Sequence, residues 1–380
     1  MLRSHHGTYE SIPIPGGKGR AYTPLPLPPQ RGIRWTPELL CAFEKACLAL
    51  GRLEGFVAAS PLRTMVYEME LRREAIFSSR IEGKRVALTE LLLFERGYTS
   101  IPFAEETREV ANCVSALRLG IEQIDAGFPP SLRMFKAVHA ALFSTDESLS
   151  GEFRTVQNWI GDSGIATAEF IPPPASNVLK CMVELERFLQ DYIAPTSILQ
   201  KAALSHAQFE TIHPFLDGNG QMGRIIIALI LRSQKACVHT VLDLSQYFMS
   251  HRQRYFNLLD QIREAGQWEE WLEFFANAVA STATQAIERL SGLHTLVEND
   301  RSRVAGSGRA ADSAMKVFSV ILQSPITTAN ELVAVTDLTH ATVDKALVHL
   351  ERLGITRELT ARRRNRLFAY YGYLDSMGSG

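Results

Sequence analysis

The sequence predicts a mainly α-helical protein with one short β-prone interruption and a compact C-terminal unit of helices and a hairpin. Three observations carry that prediction. Apolar residues recur at three- and four-residue spacing through most of residues 36–297. Residues 151–174 (GEFRTVQNWIGDSGIATAEFIPPP) break the period with β-prone runs, two glycine turns and a closing triple proline. Residues 313–380 follow the pattern helix, short helix, turn, helix and strand-turn-strand, which describes a winged helix-turn-helix.

Residues 1–35 are rich in Pro and Gly without apolar periodicity and read as an extended arm or flexible tail. Thr36-Pro37-Glu38 supplies an N-cap and a proline at the first helical position, ahead of Leu39, Leu40, Phe43, Cys47 and Leu50. A second helix is expected from about 61 to 82, with Met65, Met69, Leu71 and Ile76 on its apolar face and Gly83 as its stop. Further helices are expected at about 86–96, 104–125 and 131–143, and after the interruption at 175–192, 197–212, 219–233, 244–265 and 267–295. Residues 298–312 are polar and rich in Gly, Ala and Ser and read as a linker, part of which can continue the preceding helix. The domains drawn from this are an arm (1–35), an N-terminal helical domain (36–100), a core (101–297), the linker (298–312) and the winged unit (313–380).

Bulk properties narrow the function. At 380 residues the chain is long enough for two or three domains, and its 46% hydrophobic content suits a globular protein. Forty basic residues against 41 acidic ones exclude a surface devoted as a whole to nucleic acid, though a local basic patch is compatible. Five scattered cysteines without a CxxC pair fit a reducing compartment. There is no secretory h-region, and the longest apolar stretch, Ile225 to Leu231, is too short for a bilayer. A cytoplasmic protein with no membrane partner is the expectation.

The chemistry concentrates in HPFLDGNGQMGR, residues 213–224. Pro214 disfavours helix at His213, Asp217 to Gly220 make a tight turn, and a new helix starts with its N-terminus at that turn. Backbone N–H groups there form an anion nest, helped by the helix dipole. Gly218 and Gly220 allow close approach of a phosphate, and Arg224, about one turn into the helix, can fork onto a terminal phosphate. Asp217 can hold Mg²⁺ against phosphate oxygens, and His213 can take a proton from an attacking hydroxyl. A bare D-G-N-G reads as a plain turn; the whole set between two helices reads as a site for transfer from a nucleotide. No GK[ST] is present, so this is not a Walker A loop.

The stretch resembles the signature of the Fic family, H-x-F-x-[D/E]-G-N-G-R-x-x-R, at His213, Phe215, Asp217, Gly218, Asn219, Gly220 and Arg224. GEFRTVQNWIG with FIPPP resembles the family's flap, and LGRLEGF and ELRREAIFSSRIEG resemble its N-terminal domain. The resemblance implies a Fic-type helical core with a β-hairpin flap. It also implies an adenylyltransferase that moves AMP from ATP, with Mg²⁺, to a Tyr, Ser or Thr hydroxyl of a protein, itself included, and releases pyrophosphate. By the same resemblance His213 is the base, Asp217 the metal ligand, and Gly218, Asn219 and Gly220 the nest; Arg224 grips the γ-phosphate and Tyr255 lies near the adenine. The flap at Thr167, Ala168, Glu169 and Phe170 clamps the target as an added strand. The family's first arginine is Gln221 here. A neutral amide brings a hydrogen bond but no charge, so weaker ATP binding or slower turnover is expected.

Ser78 and Glu82 stand four apart on one face of the predicted second helix. A lone glutamate at a helix end reads as solvated, but SSRIEG beside this core resembles the family's inhibitory motif, [S/T]-x-x-x-E-[G/N]. There the glutamate pairs with the second arginine, here Arg224, and misdirects ATP. Two alternatives stand beside an autoinhibited adenylyltransferase: a de-adenylylase using Glu82, and a DNA-binding regulator with a nucleotide-sensing core. A homodimer and DNA, through Arg362, Arg363, Arg364 and Arg366 of the wing, are candidate partners. His139, His206 and His349 read as packed or surface residues, and Glu152 and Arg154 as structural braces.

Overall fold

The structure is a computed structural model that describes residues 6–98, 103–144, 151–161, 164–190, 196–360 and 366–378. It is mainly helical, as expected, with short antiparallel sheets at its two ends. The N-terminal arm departs from the extended tail expected of it. Strands β1 (Gly7–Ile14) and β2 (Gly17–Pro24) pair as a hairpin in register Gly7↔Pro24 to Ile14↔Gly17. Tyr22 donates from its backbone N–H to the Ile171 carbonyl at 2.9 Å, which seats the hairpin on the body.

Helix α1 (Pro37–Ala58) begins as its sequence dictates, with the Thr36 hydroxyl accepting from the Leu39 amide at 3.3 Å. It packs along α11 (Trp268–Ala305), the long strut of the molecule. Helix α2 (Arg63–Ile81) buries residues on nearly all sides between α4 (Ala104–Asp125), α8 (Asn219–Ser233) and α9 (Leu244–Ser250). Helices α3 (Leu88–Phe94), α5 (Leu132–Leu142), α6 (Ala175–Gln190) and α10 (Arg252–Ala265) complete this body. At its centre α7 (Ile198–Ile212) is buried without a break from Lys201 to Ile212, and it packs on α8 across the motif turn. Gly120 of α4 allows that helix to close on α8, since a Cβ there would meet Leu229 at 2.7 Å.

Two further expectations are corrected. The helix expected over 244–265 is two helices, broken at His251 (φ −120, ψ 34). The flap keeps its expected hairpin in minimal form: among the described residues one antiparallel bridge, Ile160↔Phe170, closes over a 3₁₀ turn at Ile165–Thr167. The linker of 298–312 is largely helix, because α11 runs on to Ala305 and α12 (Ala311–Gln323) starts soon after. The polar composition hid a buried stripe of Val297, Asp300 and Val304, in which Asp300 accepts from the Tyr370 hydroxyl at 2.8 Å.

The C-terminal unit adds β3 (Ile326–Thr328), α13 (Ala329–Thr336), α14 (His340–Arg352), β4 (Thr356–Glu358), β5 (Leu367–Tyr370) and α15 (Tyr371–Gly378). Its sheet has the order β3-β5-β4. The helices and the β4–β5 pair match the expected elements, while β3 and α15 were not foreseen. The unit does not hang free: Arg96 pairs with Glu331 at 2.7 Å, and Arg73 of α2 donates to the Met377 carbonyl of α15. Arg362, Arg363 and Arg364 lie outside the described residues, and Arg366 is committed to Asp344 (3.1 Å) and Glu358 (3.5 Å).

Candidate active site

The turn from His213 to Gly218 opens into a cavity of about 790 Å³, lined among others by Glu82, His213, Asp217, Gly218, Gly220 and Gln221. Two left-handed residues shape it: His213 (φ 50) ends α7, and Gly218 (φ 70) starts α8. Any Cβ at position 218 would meet the Phe143 ring at 2.6 Å, so both backbone angle and space demand glycine there. Asn219 closes the turn with its side chain, accepting from the Phe215 amide at 2.8 Å and donating to the Phe215 carbonyl at 2.9 Å. Its amide group is therefore structural; only its backbone belongs to the rim. Phe215 packs beneath the loop, stacked on His139 at 3.7 Å.

His139 was read from sequence as an ordinary packed histidine, and it proves to be part of the site's scaffold. Its Nε2 donates to the Asp217 carbonyl at 3.0 Å, and its Nδ1 accepts from the Gly151 amide at 3.1 Å. Burial lowers its pKa, which suits the neutral tautomer those two bonds require. No sequence signal marks it, because its partners come from segments far away in the chain.

His213 is half-buried at the cavity lip. Its Nδ1 faces the Glu210 carbonyl at 3.4 Å, which leaves Nε2 as the free acceptor. Burial, with Arg263 and Arg154 nearby, pushes its pKa down to about 3, so the imidazole is neutral at pH 7. Arg154, expected as a brace, is one: it donates to the carbonyls of His213 (2.9 Å), Val156 (3.1 Å) and Pro173 (2.6 Å). Asn158 adds a bond to the Phe215 carbonyl at 2.9 Å. The segment leading to the flap is thereby tied to the motif turn.

Asp217 is exposed on the cavity wall, with Oδ1 accepting from the Gly218 amide at 2.7 Å. A single carboxylate beside a row of helix-start amides fits Mg²⁺ only when phosphate oxygens supply further ligands. Among the described residues no group of three or more His, Cys, Asp or Glu is placed to hold a metal without such help.

Arg224 is buried behind Gly220 and Glu82, at 2% exposure, and the end of α2 occupies it. Its Nε donates to the Ser78 hydroxyl at 2.8 Å, and its Nη2 donates to the Ser78 carbonyl at 3.0 Å and to Glu82 Oε1 at 2.7 Å. Burial alone would lower its pKa, but Glu82, Tyr255 and Glu210 more than offset that and raise it. Gly220 makes room for the contact, since a Cβ there would meet Glu82 Oε1 at 2.4 Å. Gln221 is 7% exposed and turned toward α2, donating to the Ser79 hydroxyl at 3.0 Å. Ser79 was missed because its partner is a departure from the signature.

Tyr255, expected near the adenine, is fully buried in an aromatic cluster with Phe248 and Trp271, and its hydroxyl meets His206 Nε2 at 2.8 Å. The helical register turns it inward and leaves its neighbour Phe256 half-buried, under Arg252, which donates to the Ile81 carbonyl at the end of α2. In the flap, Thr167 and Glu169 are exposed, while Ala168 and Phe170 are half-buried.

Residues 129–231 match the Fic/DOC family and residues 40–122 match the Fic/DOC family N-terminal region. A probable protein adenylyltransferase of Aquifex aeolicus is 26% identical over 198 residues, covering 52% of this chain and 57% of that protein. Protein adenylyltransferase Fic of Drosophila melanogaster is 27% identical over 163 residues, covering 43% and 30%. The chain thus spans little more than half of the first relative and under a third of the second. A crystal structure of a Fic family protein from Desulfovibrio desulfuricans has the same fold, with a TM-score of 0.58 at 21% identity over 89% of this chain and 97% of that one. A fragment of Fic-1 from C. elegans follows at 0.53 and 18%, over 66% and 74%. Fold, signature and N-terminal region together make this chain a member of the Fic/DOC family.

Proposed function

We propose that the protein is a Mg²⁺-dependent protein adenylyltransferase held in an autoinhibited state. One observation carries the reading: a neutral histidine with a free Nε2 and the glutamate that covers the buried Arg224 face one cavity beside a row of helix-start amides. The similarity to proteins named adenylyltransferases supports the substrate, ATP with a protein hydroxyl.

In this reading the amides at Gly218 to Gly220 receive the phosphates, and Arg224 orients the γ-phosphate once Glu82 withdraws. Asp217 would hold Mg²⁺, which when bound neutralises phosphate charge. The target hydroxyl oxygen bonds to the α-phosphorus while its proton passes to His213 Nε2. The bond from the α-phosphorus to its bridging oxygen breaks, and pyrophosphate leaves with the electron pair. Phosphate charge at the cavity lip stabilises the imidazolium so formed, which the neighbouring arginines otherwise oppose.

The test is AMP incorporation from labelled ATP, into the protein itself and into cell lysate. Glu82→Gly should raise it, and Glu82→Gly/His213→Ala should remove it by about a hundredfold or more. A double variant as active as Glu82→Gly would overturn the role given to His213.

A further inference from the structure

We propose that Arg263 is a positioning residue for the transfer reaction: it fastens the return end of the flap and the base-bearing turn to α10, so that a target strand on the flap and His213 share one frame. The proposal rests on the reading of His213 as base and of the flap as the target's dock.

The geometry forms a continuous path. Arg263 is buried, and its guanidinium lies 4.4 Å from the centre of the Phe170 ring, the flap residue that bridges to Ile160. On the other end its Nη2 donates to the Glu210 carbonyl at 3.2 Å, the same oxygen that faces His213 Nδ1 at 3.4 Å. Nη1 donates to Asp260 on its own helix at 2.9 Å. Outside the path, Tyr22 of the N-terminal hairpin stands edge-on to Phe170 at 6.0 Å and holds Ile171 through its backbone.

A buried cation is a costly way to fill space, and an apolar side chain of similar volume would pack there at lower cost. What a guanidinium alone supplies is a flat face for the ring and a directed N–H for the carbonyl at once. A carbonyl that takes an N–H from Arg263 is fixed in place, and a fixed carbonyl selects the Nδ1–H tautomer of His213. That leaves the lone pair on Nε2, where a target hydroxyl must give up its proton. Arg154 also reaches the return side of the flap, at the Pro173 carbonyl, but it meets the turn at the His213 carbonyl and not at the Glu210 carbonyl that faces the imidazole.

The test uses full-length protein carrying Glu82→Gly, with self-modification by labelled ATP followed across ATP concentrations. Arg263→Met should cut the limiting rate roughly tenfold or more, as expected when a reacting group is displaced by about an ångström, with the ATP KM unchanged within about twofold. Arg263→Lys should recover part of that rate, and the ¹⁵N shifts of His213 should show the Nδ1–H tautomer in the parent and a mixture in Arg263→Met. Phe170→Leu, which leaves the arginine intact, should lower the rate in the same direction and carries the test should Arg263→Met fail to fold. An unchanged limiting rate, or an unchanged tautomer with rate and KM worsening together, would overturn the proposal. Adding His213→Ala separates the two levels: full transfer there sinks the reading of the base itself, whereas loss there with normal Arg263 variants sinks only the positioning role.

Discussion

Helix α2 is held at two places, and the two are built differently. At its last turn, Ser78, Ser79 and the residue just beyond, Glu82, meet Arg224 and Gln221 through one neutral hydrogen bond (Gln221 to Ser79), charge-assisted bonds from Arg224 to Ser78, and one ion pair, whose carboxylate is 41% exposed. In its middle, Glu70, Arg73 and Glu74 are buried in a cluster with Asp243, Ser245 and Arg289: Arg73 meets Asp243 at 3.0 Å, Arg289 meets Glu70 at 2.9 Å, and the Ser245 amide donates to Glu74 at 3.0 Å. Charges that deep cannot separate without an uncompensated partner, whereas a half-exposed carboxylate can swing into water. The helix is a fixed platform, and the side chain just beyond its end is the contact at the cavity that is able to move.

That contrast is open to direct attack. Arg73→Met removes the cation between Glu70, Asp243 and the α15 carbonyl, and should cost about 3–5 kcal/mol of unfolding free energy. A loss below about 1 kcal/mol in chemical denaturation would make the middle anchor as dispensable as the end. Glu82→Gly should do the opposite, changing stability by less than about 1 kcal/mol while raising AMP transfer about tenfold or more, equivalent to roughly 1.4 kcal/mol. A large stability loss with no gain in transfer would mean that Glu82 holds the helix and does not gate the cavity.

The middle anchor should also show itself in pH. Burial raises the Glu74 carboxyl to about 7 from 4.5, against the pull of its Ser245 bonds. The folded chain then keeps a proton that the unfolded chain releases, so the contribution of Glu74 falls as pH climbs from about 4.5 to about 7, by on the order of 1 kcal/mol per pH unit. Glu210, also raised to about 7 by burial, acts in the same direction. His206 and His213, pushed down to about 3, act oppositely below about 6.5 and partly mask the slope. The stability difference between wild type and Glu74→Gln isolates it, and a difference that does not vary with pH would remove Glu74 from the cluster's energetics.

Much of this was legible in the sequence. Except for the break at His251 and the run of α11 on to Ala305, periodicity gave the helices to within a few residues of their ends, because amphipathic faces record which side is buried; α2 and α7 were found although they are buried almost all round. The signature located His213, Asp217, Gly218, Gly220 and Arg224 because each is a local demand of turn geometry or charge. What stayed hidden was long-range. The stripe of Val297, Asp300 and Val304 is invisible without the C-terminal unit it faces, and His139 is meaningless without the loop it supports. Tyr255 shows the limit of register: one residue along a helix separates the aromatic core from the half-buried Phe256.

Gln221 is where the two readings differ most, and it gives the smallest effect and the finest test. From sequence it is a phosphate contact that has lost its charge; in the fold its amide donates to Ser79 on α2. If that bond belongs to the brake, Ser79→Ala should cost about 1 kcal/mol or less, since the freed amide can turn toward the cavity, and should raise AMP transfer by a smaller factor than Glu82→Gly. The double variant Ser79→Ala/Gln221→Ala should show a coupling of about 0.5–1.5 kcal/mol, because both single changes break one bond. Additive effects, with transfer unchanged in Ser79→Ala, would leave Gln221 as a lost phosphate contact and nothing more. Coupled effects would mean that the departure from the signature exchanges a grip on ATP for a second hold on α2.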